Sequence, residues 1–256
     1  MLYQFWIAYL TITRKEILRF CRIWVQTIIP PVVMVSLYFV IFGNLIGQRI
    51  GEMDGMKYVD FIMPGLVMMS IITNSYTNVV SSFYGAKYSR HIEEIQIAPV
   101  PNIVILLGFI TGGMVRGISV GIAVTLVSLL FTEFTIYNPL VVLLVALLTS
   151  CLFALAGLIN AIFANSFDDI SIIPTFVLTP LTYLGGIFYS IKLLPEFWQT
   201  VSLGNPILYM VNSFRYGFRG SSDIDLFTAI LVILFFISLL FTTSLILLAR
   251  GTGIRQ

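Results

Sequence analysis

Residues 87–101 of this chain, Lys-Tyr-Ser-Arg-His-Ile-Glu-Glu-Ile-Gln-Ile-Ala-Pro-Val-Pro, form a compact polar island between two long apolar runs. Lys87, Arg90, Glu93, Glu94 and the only histidine, His91, lie within one helix length, and Pro99 ends it. Cations and carboxylates at that density suit recognition by ion pairs, a point where something outside a membrane takes hold of the chain. They do not suit catalysis. Intramembrane proteolysis or acyl transfer would need a histidine or clustered carboxylates at membrane depth, whereas His91 sits in the island and no acid falls inside an apolar run. His91 is therefore read as a solvated loop group. Cys21 lies beside a basic segment and Cys151 within an apolar run, a placement that suggests neither a disulfide nor a metal site. No Gly-x-x-x-x-Gly-Lys-Ser/Thr loop occurs, and no polar stretch is long enough for a nucleotide-binding domain, so any force drawn from ATP must come from another chain.

The elements that position the island are membrane helices. Hydrophobic residues make up 58% and charged residues 10%, with a mean hydropathy of +0.99; soluble domains carry about 25% charged residues. A helical span takes roughly 20 apolar residues, and six runs qualify: 28–48, 61–84, 103–131, 139–164, 170–189 and 226–248. Each is long and unalternating, which predicts helices rather than barrel strands. The expected fold is thus an all-α integral membrane protein with one transmembrane domain over residues 1–256. An even span count puts both termini on one side. With the termini cytoplasmic, the inner segments hold eight basic residues (Arg14, Lys15, Arg19, Arg22, Lys87, Arg90, Arg250, Arg255) and the outer segments five (Arg49, Lys57, Lys192, Arg215, Arg219), which favours that orientation. Glu52, Asp54, Asp60, Glu133, Glu196, Asp223 and Asp225 lean outward. The start shows no cleavable signal peptide. Over residues 2–24, Lys15, Glu16, Arg19 and Arg22 gather on one helical face and Leu10, Ile17 and Cys21 on another. That spacing predicts a helix lying in the cytoplasmic interface before Pro30-Pro31 turns the chain into the first span; the plainer alternative is an anchor that only carries the positive-inside charge.

The spans differ in polarity. In the second, Ser70, Asn74, Thr77 with Asn78, and Ser81 recur at steps of three and four. In the fifth, Thr175, Thr179 and Thr182 do the same, with Pro174 and Pro180 interrupting the backbone hydrogen bonds. Such stripes either pack against other helices or line a wet path. In the third span Gly113, Gly117 and Gly121 form a ridge that lets another helix approach closely. Arg116 is the lone charge inside a span, a functional candidate or a guanidinium satisfied at a helix contact, with no acid in any other span to pair with it. Residues 190–217 are too apolar and aromatic for a solvated loop and too broken, by Pro195 and Gly204-Asn205-Pro206, for a span. Two short helices dipping into the outer leaflet are expected, with Trp198, Tyr209 and Tyr216 at the interface. They would close the outer end of a path or seal the bundle.

Three stretches, taken together, carry a resemblance. They are the basic N-terminal segment followed by Pro30-Pro31 and Phe42-Gly43; the island, with Arg90, Glu94 and Pro99; and the run from Pro180 through Tyr183, Gly185-Gly186 and Tyr189 to Pro195, Asn205-Pro206 and Arg215. In their order and spacing the chain resembles the permease subunits of the ABC-2 type transporter family, most closely its YadH-like branch of bacterial inner-membrane permeases. It departs from the wider family in having Glu93 where a Gly-Thr pair often precedes the glutamate. The resemblance implies an exporter half: two permease copies side by side, each docked to a separate ABC ATPase subunit that holds ATP and Mg, with no cofactor on this chain. It implies that residues 87–101 are a coupling segment, with Arg90, Glu93, Glu94 and Pro99 transmitting force and the turn bearing Asp168 and Asp169 as a second contact. For the latter pair, helix capping by Ser166 and Asp169 is the plainer reading. The path-facing candidates are Ser70, Asn74, Asn78, Thr175, Thr179, Thr182 and Tyr183, neutral groups that argue against a strongly charged cargo unless Arg116 supplies a counter-charge. Pro195, Asn205, Pro206 and Arg215 would form a re-entrant outer gate. Lipid is an expected partner and nucleic acid is not. An ion-coupled secondary transporter, which would show intramembrane carboxylates or internal repeats, and a non-transporting scaffold are the alternatives.

Overall fold

The computed structural model describes residues 2–53, 55–132 and 136–253; Asp54, Glu133 and Arg255 of the charge tally lie outside them. Helix α1 (Leu2–Arg22) leads into α2 (Trp24–Tyr38), which continues through a π-helical stretch (Phe39–Ile46) and a last turn (Gly47–Ile50). A short antiparallel pair, β1 (Glu52–Met53) and β2 (Met56–Lys57), links it to α3 (Tyr58–Tyr88). Then come α4 (His91–Ile97), α5 (Asn102–Ser128) and α6 (Pro139–Phe163). Helix α7 (Asp169–Ile173) joins α8 (Thr179–Tyr183) through a second π stretch, Pro174–Leu178. A 3₁₀ turn (Ile191–Leu193), α9 (Glu196–Leu203), α10 (Pro206–Arg219) and α11 (Leu226–Arg250) complete the chain. We call the end carrying Tyr88, Asn102 and Phe163 the base and the opposite end the crown.

Among the described residues five helices are long and apolar enough to cross a membrane: Trp24–Gly43, α3, α5, α6 and α11. The fifth predicted run is not a single long helix. Its helical part ends at Tyr183, and the chain then turns through Leu184–Tyr189, with Gly186 at a φ of 72° that a side chain disfavours. The reason lies in the sequence. Pro180 has no N–H to donate, and the preceding turn widens to the π form, with the Thr179 hydroxyl donating to the Pro174 carbonyl at 2.9 Å.

Helix α3 is the axis of the bundle. At 31 residues it is about 46 Å long, well beyond a hydrocarbon core of roughly 30 Å, and 24 of those residues are buried. Lipid tails are as apolar as leucine, so burial alone contributes little and close packing must hold the helices together. The predicted glycine ridge supplies it. A Cβ on Gly113 would stand 2.5 Å from Val79, one on Gly121 2.6 Å from Ile71, and one on Gly117 would collide with the Ser75 hydroxyl, all on α3. From the other side, a Cβ on Gly157 of α6 would meet the Tyr76 carbonyl at 2.6 Å. Around this core α2, the α7–α8 segment and α11 are largely exposed; α11 buries only Ala229, Ile233, Ser244 and Leu248. Such all-round apolar helices face lipid or another chain.

Helix α1 differs from the expectation. It buries Ile12, Thr13, Glu16 and Phe20 and leaves Leu10 and Cys21 exposed; of the predicted polar face Glu16 turns inward and Arg19 is half-buried, while Lys15 and Arg22 stay exposed. Two further glycines of α5 permit this: a Cβ on Gly108 would meet Ile12 at 2.6 Å and one on Gly112 would overlap the Glu16 side chain. Replacing Gly117 with leucine is expected to lower stability by about 2–3 kcal/mol through overpacking. Gly85→Ala, at a site with nothing within 4 Å, should be neutral or slightly stabilising in the same thermal-unfolding measurement in detergent.

Candidate functional site

Three elements meet at the base. Helix α3 ends where Arg90 takes a left-handed conformation, φ 60° and ψ 6°, the lone non-glycine residue at positive φ among the described residues. An arginine there costs about 1 kcal/mol, and it reverses the chain into α4. Ile92, 1% exposed, plugs α4 into the core, while Arg90, His91, Glu94, Pro99 and Ile97 (85% exposed) stay outside and Glu93 is half-buried. The 165–169 turn packs beside them. Phe167 meets the Tyr84 ring edge-on at 4.9 Å and the Tyr88 ring at 5.2 Å. Lys87 ties α3 to the end of α6, its ammonium donating to the carbonyls of Ile162 (2.8 Å) and Ala164 (2.6 Å) that the helix end leaves open. The result is one rigid base surface built from α3, α4 and the α6–α7 turn.

Asp169 and Ser166 make the reciprocal pair that their spacing predicts. The Asp169 carboxylate accepts from the amides of Asn165 (2.8 Å) and Ser166 (3.1 Å), and the Ser166 hydroxyl accepts from the Asp169 amide at 3.1 Å. These bonds, that of Asn165 foremost, hold the carboxyl below its ordinary value of 3.8. Asp168 is exposed and makes no side-chain cap.

The polar stripes do not meet in one path. Ser70, Asn74 and Asn78 are buried within the bundle; Ser70 donates to the Leu66 carbonyl and the Asn74 amide to the Ser70 carbonyl. Thr182 is buried and bonded to the Leu178 carbonyl, whereas Thr175, Thr179 and Tyr183 are exposed. The Tyr183 hydroxyl lies 3.4 Å from that of Tyr38. The open edge of α3 is instead Thr73, Thr77, Ser81 and Gly85, strictly four apart and ending near the exposed Tyr88. Thr77 and Ser81 belong to the predicted stripe. Thr73 was missed, although its spacing of four from Thr77 was there to read; the broad stripe spans two adjacent rows, and periodicity alone does not say which one is open.

Arg116 has a partner that is not an acid. Its Nη2 donates to the Asn74 side-chain oxygen across 3.4 Å, and its buried Nε has no hydrogen bond. Beside it α1 brings Glu16, fully buried, 3.4 Å from the Arg19 guanidinium, which also donates to the Asn78 carbonyl (2.9 Å) and Oδ1 (2.7 Å). Helical spacing places Glu16 and Arg19 on one face of α1 but does not say that α5 lies against it, so the cluster is not visible in the sequence.

At the crown, the two short helices expected after the fifth run are α9 and α10. Pro195 starts α9, and Asn205 caps α10, accepting from the Ile207 amide at 3.0 Å while its own amide donates to the Leu181 carbonyl at 2.6 Å. Pro206 occupies the first turn, where its missing N–H costs nothing. Arg215, 3% exposed, donates to the Gly186 carbonyl at 2.7 Å and lies over the Phe61 ring at 3.9 Å, binding α10 to α3 and to the glycine turn. Asp60 pairs with Arg219 at 3.2 Å close by. The predicted gate residues thus knit the crown to the bundle.

This architecture defines an all-α, multi-pass membrane protein with its polar surface gathered at base and crown. The chain belongs to the ABC-2 type transporter family, which matches residues 7–218. It is 55% identical over 256 residues, all of both chains, to the "Inner membrane transport permease YadH" of Escherichia coli (strain K12) and equally so to that of Shigella flexneri. "Nodulation protein J" of Rhizobium meliloti (strain 1021) is 26% identical over 219 residues, 84% of this chain and 82% of that one.

Two outcomes test the base. Lys87→Met leaves two helix-end carbonyls unpaired, an expected loss of about 1–3 kcal/mol seen in thermal unfolding. Because the Asp169 carboxyl is depressed in the fold, its stabilising effect is complete above its unfolded value and is lost as pH falls through the folded one. Acidification below about pH 4 should therefore speed amide exchange at Asn165 and Ser166, and Asp169→Asn should do so at neutral pH.

Proposed function

We propose that this protein is the permease subunit of an ATP-driven exporter in a bacterial inner membrane, working as a pair of copies driven by a separate ATPase that carries ATP and Mg. The observation that carries the reading is the base surface. Tyr88, Arg90, Glu94, Ile97 and Phe167 are exposed together on a mount braced by Ile92, Lys87 and the Phe167 aromatic cluster. An exposed mix of aromatic, aliphatic and charged groups on rigid backbone is what a protein partner needs. Helix α4 joins α3 directly and α5 through Ala98–Pro101, so a push on it reaches both long helices. The family of the chain and the transport permeases to which it is 55% identical support the permease assignment; the eight basic residues against five favour a cytoplasmic base and cytoplasmic termini.

The pairing of copies rests on the exposed faces. The α7–α8 segment leaves Thr175, Phe176, Thr179 and Tyr183 open, and a second copy laid against this side would cover them. The path then runs beside Thr73, Thr77 and Ser81 of each copy. Export direction follows the family expectation.

Purification of the tagged protein from its own membranes should bring down an ATP-hydrolysing subunit. Ile97→Asp and Arg90→Ala should each weaken that association by about 2 kcal/mol, roughly thirtyfold, and Glu94→Ala should uncouple ATP turnover from the permease in reconstituted complexes. If no ATPase co-purifies, or if turnover ignores all three substitutions, the docking assignment is wrong.

A further inference from the structure

We propose that the groove between α5 and α6 in the crown half of the bundle binds one acyl chain of a phospholipid from the crown-side leaflet, and that this chain steadies α10. Two glycines set its depth. A Cβ on Gly121 of α5 would stand 2.6 Å from Ile71 of α3, and one on Gly217 of α10 would stand 2.7 Å from Val142 of α6. Beside those close contacts lies a cavity of about 260 Å³. Its floor is Ile71 with Phe214 and Phe218 of α10, each no more than 3% exposed. Its walls are the row Ile118, Ile122 and Leu126 of α5, four apart, and Leu143 and Ala146 of α6. Ile122, Leu126 and Leu143 are exposed, so the mouth opens outward from helices that cross the membrane.

Polarity and length decide the occupant. The Thr125 hydroxyl, the one polar side-chain group in the lining, donates to the Gly121 carbonyl of its own helix at 2.7 Å. The lining therefore offers too few partners for water, which needs about two to four. A void would forfeit contacts along every wall, and the mobile apolar matter at this depth is acyl chain. From Ile118 to Leu126 the groove follows about 12 Å of helix, close to one leaflet of a hydrocarbon core roughly 30 Å thick. Leu126 lies two residues from the crown end of α5, so the groove runs from the crown face toward mid-membrane, as a chain hanging from a headgroup does. A second copy does not suit it: a helix about 10–12 Å wide is too broad for this cavity, and α7–α8, the side proposed for pairing, contributes none of its lining. Phe214 and Phe218, ring centroids 5.1 Å apart, flank Arg215, which holds the Gly186 turn. A chain lying on those rings thus supports the helix that ties the crown together.

The test uses the whole protein in detergent, stripped of lipid by extended washing and then incubated with phosphatidylethanolamine that carries a photoreactive diazirine midway along one acyl chain. Native mass spectrometry should find one such lipid retained per chain, and irradiation should place adducts on Ile118, Ile122, Leu126 or Leu143 far more often than on the exposed Leu239 of α11. Ala146→Phe and Thr125→Phe, which fill the groove from opposite walls, should each lower retention about tenfold with elution profiles unchanged, whereas Leu239→Phe should not. Lipid should slow amide exchange in α10 of the wild type but not in the filled variants. Adducts spread evenly over α2, α5 and α11, no retained lipid in the wild type, or full retention in both filled variants overturns the proposal. A Leu126→Cys protein that forms a disulfide-linked dimer and takes up no lipid overturns it in favour of a second copy. ATPase docking is not involved in any of these readouts, so the two assignments can each fail alone.

Discussion

The close approach of α3 to the glycines on α5 and α6 is the constraint from which the rest of this structure follows. In a membrane, helices gain little from hiding apolar side chains, because the solvent they leave is apolar too. What remains is contact at van der Waals distance and the satisfaction of polar groups. Ser75 against Gly117 and the Tyr76 carbonyl against Gly157 bring backbones together to a degree that any side chain at those glycines would prevent. The same ridge logic, one row around α5, gives Gly108 and Gly112 the task of seating α1. One helix thus organises two neighbours at once, and the position of Arg116 between the two rows follows from that.

A rigid axis makes the base mechanically meaningful. Lys87 is bonded to the end of α6, Phe167 is wedged between Tyr84 and Tyr88, and Ile92 anchors α4. Helix α4 is thereby tied to α3 and, through Lys87, to the end of α6. At the crown Arg215 does comparable work, joining α10 to the Gly186 turn and to Phe61. Between the two ends α2, α7–α8 and α11 present the largest exposed apolar faces.

Much of this was legible beforehand, and the reasons are specific. Four of the six apolar runs correspond to long helices, α3, α5, α6 and α11, and a fifth to the α2 region, because length and hydropathy alone decide what can span. The short helices α9 and α10 were foreshadowed by Pro195 and Asn205-Pro206, whose local geometry tolerates few alternatives. Ser166 and Asp169 cap a helix because capping depends on residues three apart. What was misread depended on rotation. Glu16 of α1 turns inward because glycines more than ninety residues away leave α1 a seat, and the open row of α3 lies one residue beside Ser70, Asn74 and Asn78.

By itself, the sequence determined that this is a helical membrane protein, where its long helices lie, that Lys87, Arg90, Glu93 and Glu94 cluster between two apolar runs, and that α5 carries a ridge of small residues. Those properties follow from composition, periodicity and short-range spacing. Only the tertiary structure decided which neighbour each ridge receives, that Glu16 is buried, that Asn74 answers Arg116, and that Thr73, Thr77 and Ser81 form the open edge. The physical reason is that a helix fixes its side chains relative to one another but not its rotation against other helices. That rotation is set by which backbones can approach most closely, a property of pairs of helices distant in the chain.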